Sequence, residues 1–110
     1  MSEADKCKSL SAWVDRMPGP RKRPTLYVSA IVNAPTPCHQ PHATYVGDEK
    51  KNPPVYLLQL GFTAGSEMCP QVEADRELRY VQPNYAGNHG SVQLIFSDDS
   101  TKSVCIQEVS

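Results

Sequence analysis

Leu26, Val28, Ala30 and Val32 occupy every second position of an unbroken run from Thr25 to Ala34, with Tyr27, Ser29, Ile31 and Asn33 between them. A strand turns successive side chains to opposite faces, so period-two alternation over ten residues points to a strand with one buried face. An apolar helical stripe would instead recur every three or four residues.

Proline sets the length of everything around that run. Ten prolines and six glycines in 110 residues remove backbone donors and fix turns often enough to disfavour long helices and to suit short strands. Pro35, Pro37 and Pro41 exclude a helix or central strand between Ala34 and Pro41, and Met17-Pro18-Gly19-Pro20 ends the run before Thr25.

The same alternation predicts six further strands. Leu10, Ala12 and Val14 share a face over Ser9 to Asp15, read as an edge strand, with Trp13 on the opposite face. Ala43, Tyr45 and Gly47 alternate in a short third strand, and Tyr56, Leu58, Leu60 and Phe62 in a fourth, central one over Val55 to Ala64. Gln71 to Val81 puts Val72, Ala74, Arg76, Leu78 and Tyr80 on one face. Helix propensity competes there, but strict alternation and the closing Tyr80-Val81 favour a strand. Val92, Leu94 and Phe96 form a sixth strand, Ser97-Asp98-Asp99-Ser100 a hairpin turn, and Val104 to Val109 the last strand.

Seven short strands with turn signals about every ten residues predict an all-β, immunoglobulin-like two-sheet sandwich of antiparallel strands. The expected core is Leu26, Val28, Ala30, Val32, Leu58, Leu60, Phe62, Leu78, Val92, Leu94, Phe96 and Ile106. A chain of this size removes roughly 65% of its unfolded surface from water, enough for one core. Residues 1–110 are therefore expected to form one domain, with residues 1–8 a flexible N-terminal arm.

A net charge of -1 and a charged fraction of 21% give no basis for nucleic-acid binding, and no apolar stretch approaches the roughly 20 residues of a membrane span. The polar segment Met1 to Lys8 has no signal-peptide core. Cys7, Cys38, Cys69 and Cys105 are even in number, widely spread and outside any CxxC motif. They are disulfide candidates, with Cys38–Cys69 tying two loops and Cys7–Cys105 tying the termini, four free thiols being the alternative. Disulfides point to a periplasmic or secreted mature domain, and free thiols to a cytoplasmic one.

Cys38, His39 and His42, joined by Cys69, make a candidate thiolate-imidazole set for zinc or copper, although Pro41 interrupts it. A hydrolase would pair His39, His42 or His89 with a serine or cysteine. No GxSxG elbow, phosphate-cradling glycine loop or HExxH helix accompanies them, so no enzyme activity and no cofactor are expected. Arg21-Lys22-Arg23 forms a short basic run, a candidate contact for an acidic partner. Trp13 and Tyr27 lie opposite the apolar phase of their own strands and are the candidate aromatic anchors for a partner protein.

The succession Ser11-Ala12-Trp13, Met17-Pro18-Gly19-Pro20, a strand, Pro35-Thr36-Pro37, Asn52-Pro53-Pro54-Val55 and Arg79-Tyr80 resembles a pattern in small uncharacterised bacterial proteins with an immunoglobulin-like sandwich. That resemblance implies the fold and carries no activity. Small periplasmic sandwiches of this size include inhibitors of curli amyloid assembly, an analogy of fold alone. The expected function is a non-enzymatic protein-binding or assembly-modulating module acting through a sheet edge or face, with the Cys38–His42 metal or redox loop and a small hydrolase as alternatives.

Overall fold

The computed structural model describes residues 3–15, 24–65, 68–85 and 87–109. The chain forms β1 (Ser9–Asp15), β2 (Thr25–Ala34), β3 (Gln40–Glu49), β4 (Val55–Thr63), β5 (Ala74–Gln82), β6 (Ser91–Ile95) and β7 (Thr101–Val109), preceded by a single 3-10 turn at Ala4–Lys6. No α-helix occurs among the described residues. The competition at Gln71 to Val81 resolves as strand β5, shifted to begin at Ala74.

The seven strands form one sheet in the order β3-β4-β6-β7-β1-β2-β5. Two pairings correct the expectation of a wholly antiparallel arrangement: β1 runs parallel to β7, and β4 parallel to β6. A second correction concerns β1. It lies between β7 and β2 rather than at an edge. The edges are β3 and β5, and the sheet curls until they meet, where the Arg76 guanidinium donates to Gln40 Oε1 at 3.0 Å. The result approaches a barrel with one unladdered seam.

Strand β7 is the joint of this curl. It pairs with β6 from Thr101 to Cys105, then with β1 from Ile106 to Val109. The β1–β7 ladder starts at Ala12↔Ile106, so Leu10 and Ser11 stand apart from Val104 and Cys105.

Inward faces follow the sequence period. Leu26, Val28, Ala30 and Val32 alternate with half-buried neighbours along β2, and they meet Leu58, Leu60, Leu78, Val92, Leu94 and Phe96 in one apolar cluster. Each large aliphatic side chain buried there contributes about 1.5–3 kcal/mol before entropy is set against it. Phe62 and Ile106, expected inside, pack half-buried on its rim, while Ala12, Val14, Tyr56 and Tyr85 join it.

The N-terminal segment, expected to be a flexible arm, lies against this body from Glu3 onward. Ala4 and Cys7 are buried in the cluster. The Glu3 carboxylate accepts from the Ser97 backbone N–H and hydroxyl, and Asp98 Oδ2 accepts from the Glu3 N–H at 2.9 Å. The segment thereby closes the β6–β7 turn.

The edge strands carry features that oppose further pairing. In β3, Pro41 has no N–H to offer, and a bulge between Tyr45 and Gly47 breaks the register, with Gly47 at φ 137°, a value open to glycine. In β5, Asp75, Arg76, Glu77 and Arg79 charge the strand up to Tyr80. Arg76, dissonant among the inward positions of the sequence, turns into the seam as an edge-guarding charge.

Candidate functional site

Trp13 and Tyr27 are direct register partners on β1 and β2. Their rings stack with centroids 5.5 Å apart and planes 15° from parallel. Residues opposite one another share a sheet face, so Gln107, Trp13, Tyr27 and Val81 form a row across β7, β1, β2 and β5 on the outer face. Val81 is 52% exposed. Where β1 and β7 separate, a groove of about 380 Å³ opens, lined by Leu10, Ser11, Ala12, Trp13, Val104, Cys105 and Gln107. Trp13 and Gln107 belong to both groove and row. The two aromatic anchors read from the sequence are therefore brought together, beside an apolar recess.

Arg21, Lys22 and Arg23 lie outside the described residues. The seam between the edge strands holds a second cavity of about 470 Å³, lined by Gln40, Pro41, Asp75, Arg76, Glu77 and Arg79. Its walls carry both signs of charge, which suits an edge kept apart from other strands.

Cys38 and Cys69 form a disulfide with Cα atoms 6.1 Å apart, tying the β2–β3 and β4–β5 loops. This corrects the four-ligand metal set, because both thiolates are consumed by the bond and two histidines remain. Those two are engaged separately: His39 Nδ1 is 2.7 Å from Thr36 Oγ1, while the His42 ring lies over Gly61. Among the described residues, no group of three His, Cys, Asp or Glu side chains is placed to hold a metal ion. The terminal pairing is corrected too. Cys7 and Cys105 are free, the first buried and the second exposed. Burial pushes the Cys7 thiol up from its ordinary range, an effect partly offset by Lys102.

The densest polar constellation was not singled out by the sequence. Asp48 Oδ1 accepts from Tyr45 Oη at 2.7 Å and lies 2.7 Å from His89 Nε2. The other ring nitrogen, Nδ1, is 2.6 Å from Tyr85 Oη, which also accepts from the His89 backbone N–H. Tyr56 sits among them, stacked on Tyr45 at 4.4 Å and edge-on to Tyr85 and His89, with its hydroxyl 2.7 Å from that of Tyr80. The hydrogen bond from Tyr45 holds the Asp48 carboxyl below its usual range, with a further contribution from His89. Burial and the Tyr80 hydroxyl push the Tyr56 phenol well above its own.

These side chains come from β3, β4, β5 and the β5–β6 loop. Of them, Tyr45, Tyr56, Tyr85 and His89 line a recess of about 240 Å³ together with Gln82, Asn84 and Gly87. Two local spacings signal it in the sequence: Tyr45 three residues before Asp48, and Tyr85 four before His89. The long-range contacts that join those pairs leave no periodic trace.

Comparison of the chain with protein-family models, curated proteins and solved structures finds no match.

Proposed function

We propose that this chain is a non-enzymatic protein-binding module that receives its partner on the outer face of β1, β2 and β5 and in the groove between β1 and β7. The observation that carries the reading is the Trp13–Tyr27 stack, held in register on the solvent side and continuous with that groove. Large, rigid aromatics beside a recess are the residue types that dominate binding energy at protein interfaces. The recess is walled by Leu10, Ala12, Val104 and the Trp13 indole, so the partner it fits is a protein segment presenting an apolar side chain as its anchor.

The face is favoured over the edges. Pro41 and the bulge at Tyr45 and Gly47 guard β3, and the charges from Asp75 to Arg79 guard β5, so neither strand presents a long, flat, unpaired row to an incoming segment. A module that sequesters an apolar segment of its partner also keeps that segment from other assemblies, the assembly-modulating form of the same role.

The division of β7 between β6 and β1 supports an immunoglobulin-like description of the fold. The groups β7-β1-β2-β5 and β3-β4-β6-β7 then correspond to two sheets sharing one strand. The parallel β1–β7 and β4–β6 pairings are its departures from a wholly antiparallel sandwich. The Cys38–Cys69 disulfide supports an oxidising working environment.

The non-enzymatic part of the reading weighs Asp48, His89 and Tyr85, which align as a carboxylate, an imidazole and a hydroxyl. Tyr85 is only 5% exposed, and its hydroxyl is engaged by both the ring and the backbone of His89. That arrangement supports a packing role more than a nucleophile open to substrate.

Site-specific photocrosslinking tests the proposal. A photoreactive phenylalanine in place of Tyr27 is expected to capture a partner that the same group at Tyr45 does not, and the double variant Trp13→Ala/Tyr27→Ala is expected to weaken that partner's affinity at least tenfold. Capture no stronger from position 27 than from position 45, or an affinity unchanged in the double variant, would contradict it.

A further inference from the structure

We infer that the cavity at the seam between β3 and β5 binds a carboxylate that carries a nitrogen donor on the adjacent carbon, at a site separate from the Trp13–Tyr27 face. The charged side chains on its walls all come from β5, and all but one are answered. Lys8 pairs with Asp75, and Arg79 with Glu77. Arg76 has no carboxylate partner. Among the described residues its one side-chain hydrogen bond goes to Gln40 Oε1, at 3.0 Å. A guanidinium carries five N–H donors in a rigid fork. This one is half-buried, on the same face of β5 as Leu78, and most of its donors are left for solvent or a ligand.

The walls select among anions. The two oxygens of a carboxylate match the guanidinium fork in a pair of parallel N–H···O bonds. Phosphate carries more charge and would stand against the Asp75 and Glu77 carboxylates that line the same cavity. Those carboxylates and Gln40 Oε1 are acceptors, so they suit an amino or amide group beside the bound carboxylate. The seam adds main-chain groups as well. Strands β3 and β5 are the two edges of the sheet, and an edge strand turns alternate N–H and C=O groups away from its ladder.

Size narrows the ligand further. About 470 Å³ lies within the roughly 300–1,000 Å³ of small-molecule sites, room for an amino acid or the last residues of a peptide rather than a lone ion. The charges that keep another strand from pairing here do not oppose a ligand that brings a complementary pair of its own. Free amino acids and the C-terminal residues of peptides share this chemistry.

Titration of the full chain with L-alanine and with trialanine, at constant ionic strength, tests the inference through the NMR signals of the Arg76 Nε–H and the Gln40 side-chain amide. Both are expected to give saturable shifts in the millimolar range, with alaninamide and the amide of trialanine weaker by about fivefold or more. This comparison is made on the parent chain and holds whether or not a variant folds. Arg76→Gln is expected to lose about tenfold in affinity, whereas Arg79→Gln, whose charge is engaged by Glu77, stays within about threefold of the parent. Tighter binding of trialanine than of alanine assigns the site to a chain end, and alanine binding as tightly or more tightly assigns it to a free amino acid. No saturable shift with either, equal binding of the acids and their amides, inorganic phosphate binding more tightly than both, or Arg79→Gln losing as much as Arg76→Gln would overturn the inference.

Discussion

His89 Nε2 lies 2.7 Å from Asp48 Oδ1, joining the loop before β6 to the far end of β3 across 41 residues of chain. Their partners Tyr85 and Tyr45 extend the contact into a line of four side chains. The line lies at the end of the sheet where β3 finishes and β4 and β6 begin.

A pH dependence follows from Asp48. Its hydrogen bond from Tyr45 depresses the carboxyl in the folded state, so its stabilisation is present above the unfolded carboxylate value near 3.9 and is lost as pH falls through the folded value. Urea midpoints of the parent and Asp48→Asn are expected to differ modestly at pH 7, by less than about 1 kcal/mol because the group is largely exposed, and to converge once the pH has fallen below the depressed folded-state value of the carboxyl. A difference that widens with acid would contradict this sign.

The cysteine chemistry gives a sharper outcome. With 31 residues of separation, loss of the Cys38–Cys69 bond through Cys38→Ser/Cys69→Ser is expected to lower stability by about 3–4 kcal/mol. Unreduced intact mass should fall short of the reduced value by one pair of hydrogens. A thiol reagent should label Cys105 in the native protein and Cys7 only on unfolding.

Gly65 and Gly61 form a contrasting pair. A Cβ at Gly65 would sit 2.2 Å from the backbone oxygen of Cys38, against the disulfide-tied loop, whereas one at Gly61 meets the ring of His42, an exposed side chain that can swing aside. Thermal melts are expected to show Gly65→Ala destabilised by at least about 1–3 kcal/mol and Gly61→Ala by less than about 1 kcal/mol.

The edge charges are testable by aggregation. Replacing Glu77 and Arg79 by valine removes two exposed charges from β5 and leaves an apolar strand beside Tyr80 and Val81. Light scattering on warming is expected to rise earlier in that variant at equal unfolding midpoint.

The strands were legible because their signal is local. Thr25 to Ala34 alternates so strictly that β2 begins and ends where the sequence places it, and ten of the twelve expected core residues are buried. Phe62 and Ile106 sit instead at the rim, Phe62 near the end of β4 and Ile106 where β7 passes from β6 to β1. Sheet order was not legible. Parallel pairing of β4 with β6, and of β1 with β7, is a choice among distant partners that no window of ten residues records. Trp13 and Tyr27 were readable as anchors because each violates the apolar phase of its own strand. The Asp48–His89 network was not, because burial and hydrogen bonding there depend on four separate elements meeting at one end of the fold.

The binding face is most directly tested through Trp13, the single tryptophan of the chain. Acrylamide quenching of its emission is measured on the full chain, free and saturated with the partner captured by crosslinking. The account expects quenching to fall at least threefold in the complex, with a blue shift as the indole leaves water. Unchanged quenching and emission at saturation would place the partner elsewhere and contradict the assignment of the Trp13–Tyr27 face.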